Sequence, residues 1–145
     1  MKIRILFITA TIISLTALTS CNKEGSDPIE DIKNSITEIN KIEERSNDIS
    51  NELEAFEVLR DLNQEMKNIR NASLALDEQY ADVKREDEGT LADDPEFTKK
   101  MEEFEQCLNT IDQSLQVIRK NVQPYEDKEE VEKMIKKLNH IMITK

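Results

Sequence analysis

The chain has 145 residues, 20 basic and 31 acidic, and a formal net charge of −11. That balance excludes a chain that holds nucleic acid or an anionic membrane surface by bulk charge, since both attract positive groups. Two glycines, three prolines, no tryptophan and a charged fraction of 35% leave little material for strands and turns, so composition points to helices.

Met1-Lys2-Ile3-Arg4 carries two positive charges and no acid, and Ile5 to Leu18 then runs without a charge. The run is shorter than the roughly 20 apolar residues that span a bilayer and has the length of a signal-peptide core. It ends in Leu18-Thr19-Ser20-Cys21: an aliphatic residue, two small residues and a cysteine. This segment resembles the lipobox of bacterial lipoprotein precursors. The resemblance implies cleavage before Cys21, a diacylglycerol on its sulfur and, usually, a third acyl chain on the new amino group. Each buried methylene contributes about 0.8 kcal/mol, and two or more chains give lasting attachment. Asn22 follows, where an aspartate favours inner-membrane retention in enterobacterial lipoproteins. The resemblance therefore implies an anchor facing the periplasm or cell exterior, on the outer membrane in a Gram-negative cell.

Residues 1–20 are then a signal peptide, 21–27 a lipidated tether and 28–145 a helical domain. Removing the signal peptide takes two basic residues and no acid, leaving 18 against 31 and a net charge of −13. A basic protein partner suits that balance. Cys107 is the one cysteine besides Cys21, so an internal disulfide is excluded. It reads as a small buried hydrophobe, with an intermolecular bridge as the alternative.

Asp27-Pro28-Ile29-Glu30 reads as a helix start, with Asp27 capping, Pro28 at the first position and Glu30 as the capping-box acid. Ile29, Ile32, Ile36, Ile39 and Ile42 form one helical stripe. Ser46-Asn47-Asp48-Ile49-Ser50-Asn51 favours caps and turns, and Asn51 with Glu54 can open a second helix. Because the segment holds no Gly or Pro, the alternative is one helix from Pro28 to Glu86, ~88 Å long at ~1.5 Å per residue.

The second stripe is Leu53, Phe56, Leu59, Leu62, Met66, Ile69, Ala72, Leu76, Tyr80 and Val83. Gly89-Thr90-Leu91-Ala92-Asp93 reads as a loop, and Asp94-Pro95-Glu96 repeats the earlier start signal. Phe97, Met101, Phe104, Leu108, Ile111, Leu115, Ile118 and Val122 keep a heptad seam, with Cys107 beside it. Gln123-Pro124 ends that helix. Asp127 with Glu130 reads as another capping pair, ahead of a last stripe of Val131, Met134, Ile135, Leu138, Ile141 and Met142. The fold expected is all-α: an antiparallel up-down bundle of four helices, or a long helix packed against two shorter ones.

The residues offer little catalytic chemistry. His140 is the single histidine, and nothing puts Cys107 in an electropositive setting. Glu102-Glu103-Glu105 and Glu129-Glu130-Glu132 read as solvated helix faces. Glu86-Asp87-Glu88 with Asp93-Asp94 supplies hard oxygen atoms of the kind that bind Ca²⁺, without EF-hand spacing, and reads as an acidic loop. Met101, Phe104, Met134 and Met142 read as core, with a recognition groove as the alternative.

Ala75-Leu76-Asp77-Glu78-Gln79, Asp94-Pro95-Glu96-Phe97, and Phe104 with Ile111-Asp112 and Leu115 resemble the periplasmic four-helix-bundle cytochromes b. That resemblance implies the fold and, for haem, a His near the end of the last helix, which His140 matches within one residue. The family's Met near the start of the first helix is replaced by Lys33, with Ile32 beside it. No cofactor is therefore expected from the residues themselves. The function expected is non-enzymatic protein binding by a lipid-anchored envelope or surface protein of adaptor, accessory or inhibitor type. The alternatives are a self-associating coiled-coil spacer, which would form a homo-oligomer, and a haem-binding electron carrier.

Overall fold

The computed structural model describes residues 26–81 and 94–143. Four α-helices carry them: α1 (Pro28–Ser46), α2 (Glu52–Ala81), α3 (Pro95–Val122) and α4 (Glu129–Ile143), with a 3₁₀ turn at Gln123–Tyr125 between the last two. The protein is an all-α helical bundle, as its composition and stripes predict. The signal peptide, Cys21, Val83, the Gly89–Asp93 loop and Glu86-Asp87-Glu88 lie outside the described residues.

Local chemistry explains the helix ends. The Asp27 side chain accepts the Ile29 N–H at 3.1 Å and Pro28 follows at the first helical position. Asp94 does the same for Glu96 at 2.9 Å, ahead of Pro95. Each cap satisfies one N–H that the first helical turn leaves without a partner. Beside the expected capping-box acid Glu30, Asp31 accepts the Ser26 hydroxyl at 2.9 Å, a side-chain bond that ties the residue before the cap to the first turn.

The break after Ser46 is real, and side chains make it. Asn51 Oδ1 accepts the Glu54 N–H at 3.0 Å, while the Glu54 carboxylate accepts the backbone N–H and hydroxyl of Ser50 at 2.7 and 2.9 Å. These bonds from Ser50, the backbone N–H first, hold the Glu54 carboxyl below its usual range. A single helix from Pro28 to Glu86 is thereby replaced by two.

At Asp127 the expectation is corrected. The 3₁₀ turn runs on through bonds from the Glu126 N–H to Gln123 O and from the Lys128 N–H to Tyr125 O. The chain is carried one residue further, so the Lys128 carbonyl accepts the Glu132 N–H at 2.8 Å and Lys128 takes the cap position.

Successive helices run in opposite directions. In space, α1 packs on α2 and α3, and α2 packs on α1 and α4, giving the order α3–α1–α2–α4 around the bundle. The α1–α3 pair is parallel: Lys33 meets Glu103, Asn40 meets Ser114, and Ser46 meets Asn121. The α2–α4 pair is parallel too, with Asn63 bonded to Met134 early and Lys67 near Ile141 later. Arg119 joins α3 to α4 through Asn139 Oδ1 at 3.1 Å and Met142 Sδ at 3.6 Å.

The predicted stripes meet in one core that includes Ile32, Ile39, Leu59, Leu62, Ile69, Ile111, Ile118 and Leu138. Leu53 departs from the second stripe at 65% exposed. The helix begins only at Glu52, so the buried face starts with Ala55 and Val58. On α3, Cys107 and Ser114 are buried while Leu108 is only partly so, which turns the seam toward α1 and places small side chains there. Tyr80 and Phe97 meet edge to face, ring centres 4.9 Å apart, joining the end of α2 to the start of α3.

Candidate functional site

A depression lies between α2 and α4. It is an open groove of about 570 Å³ lined by Arg60, Asn63, Gln64 and Lys67 on one side and Met134, Lys136, Lys137, His140 and Ile141 on the other. The helical repeat explains the grouping. Residues three, four and seven apart share a helix face, so Arg60, Asn63, Gln64 and Lys67 form one wall and Met134, Lys137, His140 and Ile141 the other. Met134 and Ile141 are both 93% buried and make the floor apolar, while the cationic chains stand exposed at the rim.

No acidic side chain among the described residues lines this groove, in a chain where acids outnumber bases 31 to 20. Arg60 pairs with Asp61 at 2.9 Å and Lys136 with Glu132 at 2.6 Å. Lys67 and Lys137 have no acidic partner among the described residues.

Asn63 is 4% exposed. Its Nδ2 donates to Leu59 O at 2.8 Å and to Met134 O at 3.2 Å. Both amide hydrogens are thus committed, and Oδ1 is left with no hydrogen bond. It is the one buried side-chain nitrogen or oxygen in that state among the described residues. Buried polar atoms in native proteins are nearly always partnered.

The residues singled out in the sequence fall on different helix pairs of the bundle. His140 is exposed in the groove. Lys33 lies on the other parallel pair, where its ammonium bonds Glu103 at 3.1 Å. That hydrogen bond and the carboxylate charge raise the Lys33 pKa. Lys33, at the position where the cytochrome resemblance expects a methionine, is thus engaged with Glu103.

Cys107 is 6% exposed in the core, where burial pushes its thiol pKa up. A buried protonated thiol is a poor nucleophile and a poor partner for an intermolecular bridge. Of the acidic loop, Asp94 serves as a helix cap, and no group of three metal-binding side chains occurs among the described residues. Met134 lies in the core and also floors the groove, while Phe104 is buried and Met101 and Met142 are partly buried.

Sequence reasoning overlooked the groove. Its signal was present as Arg60 and Lys67 seven apart and Lys137 and His140 three apart. Those spacings acquire meaning only once α2 and α4 are known to be neighbours. No helix among the described residues is long and apolar enough to cross a membrane. Searches against protein-family models, curated proteins and solved structures find no match to this chain.

Proposed function

We propose that the chain is a non-enzymatic, lipid-anchored binding protein of the bacterial envelope, held by acyl chains on Cys21 and acting by contact with another protein. Leu18-Thr19-Ser20-Cys21 at the end of a short apolar run is the observation that carries this reading. The bundle suits it. Pro28 opens α1 seven residues after Cys21, a distance that extended chain covers in at most roughly 25 Å. The end of the bundle where α1 begins, and where α4 ends, then faces the membrane, and the turns at 47–51 and 123–128 point away from it. Lipid supplies location, and the exposed helix faces supply the contact surface.

The test is affinity purification of the chain tagged after Lys145, at native expression, from detergent-solubilised membranes, with Cys21→Ser as control. The expected result is acyl-chain labelling and membrane association of the parent chain, both lost on Cys21→Ser, with a stoichiometric protein partner. A Cys21→Ser chain still processed and still membrane-bound overturns the anchor. A parent chain recovered only with copies of itself makes the molecule a self-associating spacer.

A further inference from the structure

We propose that the groove between α2 and α4 is the docking site for an acidic, extended peptide segment of the partner protein. This rests on the reading of the chain as a protein-binding module and names the chemistry that module recognises. It runs against the expectation from net charge, which describes the average surface and points to a basic partner. The groove departs from that average. Arg60, Lys67, Lys136 and Lys137 line it with no acid among them, and Lys67 and Lys137 have no acidic partner among the described residues.

Positive charge alone would suit any anion, and Asn63 narrows the choice. Its Nδ2 is spent on two main-chain carbonyls, so what the groove floor lacks is a donor for Oδ1. A phosphodiester headgroup or inorganic phosphate at neutral pH offers chiefly acceptor oxygens. A peptide main chain brings an N–H in every non-proline residue, together with carboxylates for Lys67 and Lys137. The apolar floor of Met134 and Ile141 takes an aliphatic side chain from the same segment, and methionine adapts its shape to what it meets. An open groove between two helices also suits a length of chain better than a small molecule, whose sites bury most of the ligand surface. Asn63 Oδ1 exposes almost no area, so the proposal requires the long side chains around it to move as the segment seats.

The probe is a fluorescein-labelled eight-residue peptide alternating Glu and Leu, titrated by anisotropy into the intact chain purified in detergent. A Lys-Leu peptide, inorganic phosphate and phosphatidylglycerol vesicles serve as comparisons. The Glu-Leu peptide is expected to bind best, with affinity falling as salt rises. Lys67→Glu combined with Lys137→Glu should weaken it at least about tenfold at unchanged helical circular dichroism, since each tenfold step is a modest interaction loss. Asn63→Leu should weaken it about fivefold while leaving the salt dependence as it was, the mark of a lost uncharged hydrogen bond. Lys67→Gln with Lys137→Gln provides a milder pair if charge reversal perturbs the fold. No peptide binding, binding indifferent to these variants, or tighter binding to phosphate or vesicles overturns the assignment. A partner that co-purifies equally well with the charge-reversed chain also overturns the groove, yet leaves the anchored binding module standing. Peptide binding in the groove without any Cys21-dependent partner does the reverse.

Discussion

Along the α1–α3 seam, Lys33 reaches Glu103, Ser114 lies 3.5 Å from Asn40, and the Asn121 amide donates to both Ser46 Oγ at 2.9 Å and Asn47 Oδ1 at 3.0 Å. Along the α2–α4 pair, one buried amide reaches across to a main-chain carbonyl, its oxygen is orphaned, and two lysines have no acidic partner among the described residues. Both pairs are parallel and both contribute residues to the same core. The difference teaches where the molecule closes on itself and where it stays open. Polar groups that complete one another across a seam specify which helices lie together.

The largest expected effect tests what the two pairs share. Ile39 on α1 is fully buried and Leu138 on α4 is 1% exposed. Ile39→Ala and Leu138→Ala should each lower unfolding stability by about 2–5 kcal/mol, the usual cost of truncating a buried aliphatic chain. Urea unfolding followed by circular dichroism measures both. A large loss for Ile39→Ala beside a negligible one for Leu138→Ala would mean that α4 is only loosely docked, and the groove would lose its second wall.

The next effect is smaller and differs in sign between the two pairs. Asn121→Ala removes two side-chain bonds on the α1–α3 seam and leaves the Ser46 hydroxyl, on a residue 1% exposed, with only its bond to Glu43 O. It should cost about 1–2 kcal/mol. Asn63→Leu deletes an oxygen that has no partner together with the two Nδ2 bonds, to Leu59 O and to Met134 O across the pair, and replaces the amide with apolar volume. The carbonyl of Leu59 still accepts within its own helix. Stability should hold or rise by up to about 1 kcal/mol, because removing a polar group whose bonds are incomplete can be neutral or favourable. If Asn63→Leu destabilises as Asn121→Ala does, Asn63 is an ordinary structural amide and the contrast between the pairs collapses.

Much of this architecture is legible in the sequence, for reasons visible at single residues. Asp27-Pro28 and Asp94-Pro95 start helices through bonds made within two residues, and Asn51 opens α2 through a bond three residues away. Heptad stripes likewise report which face is apolar. What they do not report is the facing helix. Isoleucine at Ile39 packs equally well on any leucine, so adjacency around the bundle has to come from matched polar pairs such as Asn121 with Ser46, which lie 75 residues apart. Lys128 displaced Asp127 from the cap because the 3₁₀ turn used one more residue than a Gln-Pro stop implies. The groove was hidden for the same reason as adjacency. Asn63 reads as one polar residue after Leu62, and its orphaned oxygen depends on Met134 of another helix accepting its amide. The proposed anchor motif at Leu18-Cys21 rests on linear sequence alone and lies outside the described residues.

The smallest effect joins the two pairs through Asp61. Burial pushes its carboxyl pKa up, but hydrogen bonds and charge from Arg45 and Arg60 together outweigh burial and leave it below the ordinary value. Arg45 lies on α1 at 2.6 Å, and Arg60 lines the groove at 2.9 Å from the same carboxylate. A carboxyl depressed in the folded state stabilises the fold at every pH above its unfolded value, about 3.9. That contribution is lost as pH falls through the lower folded value. The carboxylate is 32% exposed, so solvent screening limits the contribution to about 0.5–1 kcal/mol. Stability of the parent chain should therefore decline more steeply than that of Asp61→Asn on acidification below about pH 4, and 1 M salt should shrink the difference. Parallel acid profiles would mean that Asp61 does not tie Arg60 down. With Asp61 neutral, Arg60 loses its acidic partner beside the groove. At neutral pH and low salt, Asp61→Asn should then bind the Glu-Leu peptide slightly more tightly than the parent chain, the direction opposite to Lys67→Glu with Lys137→Glu.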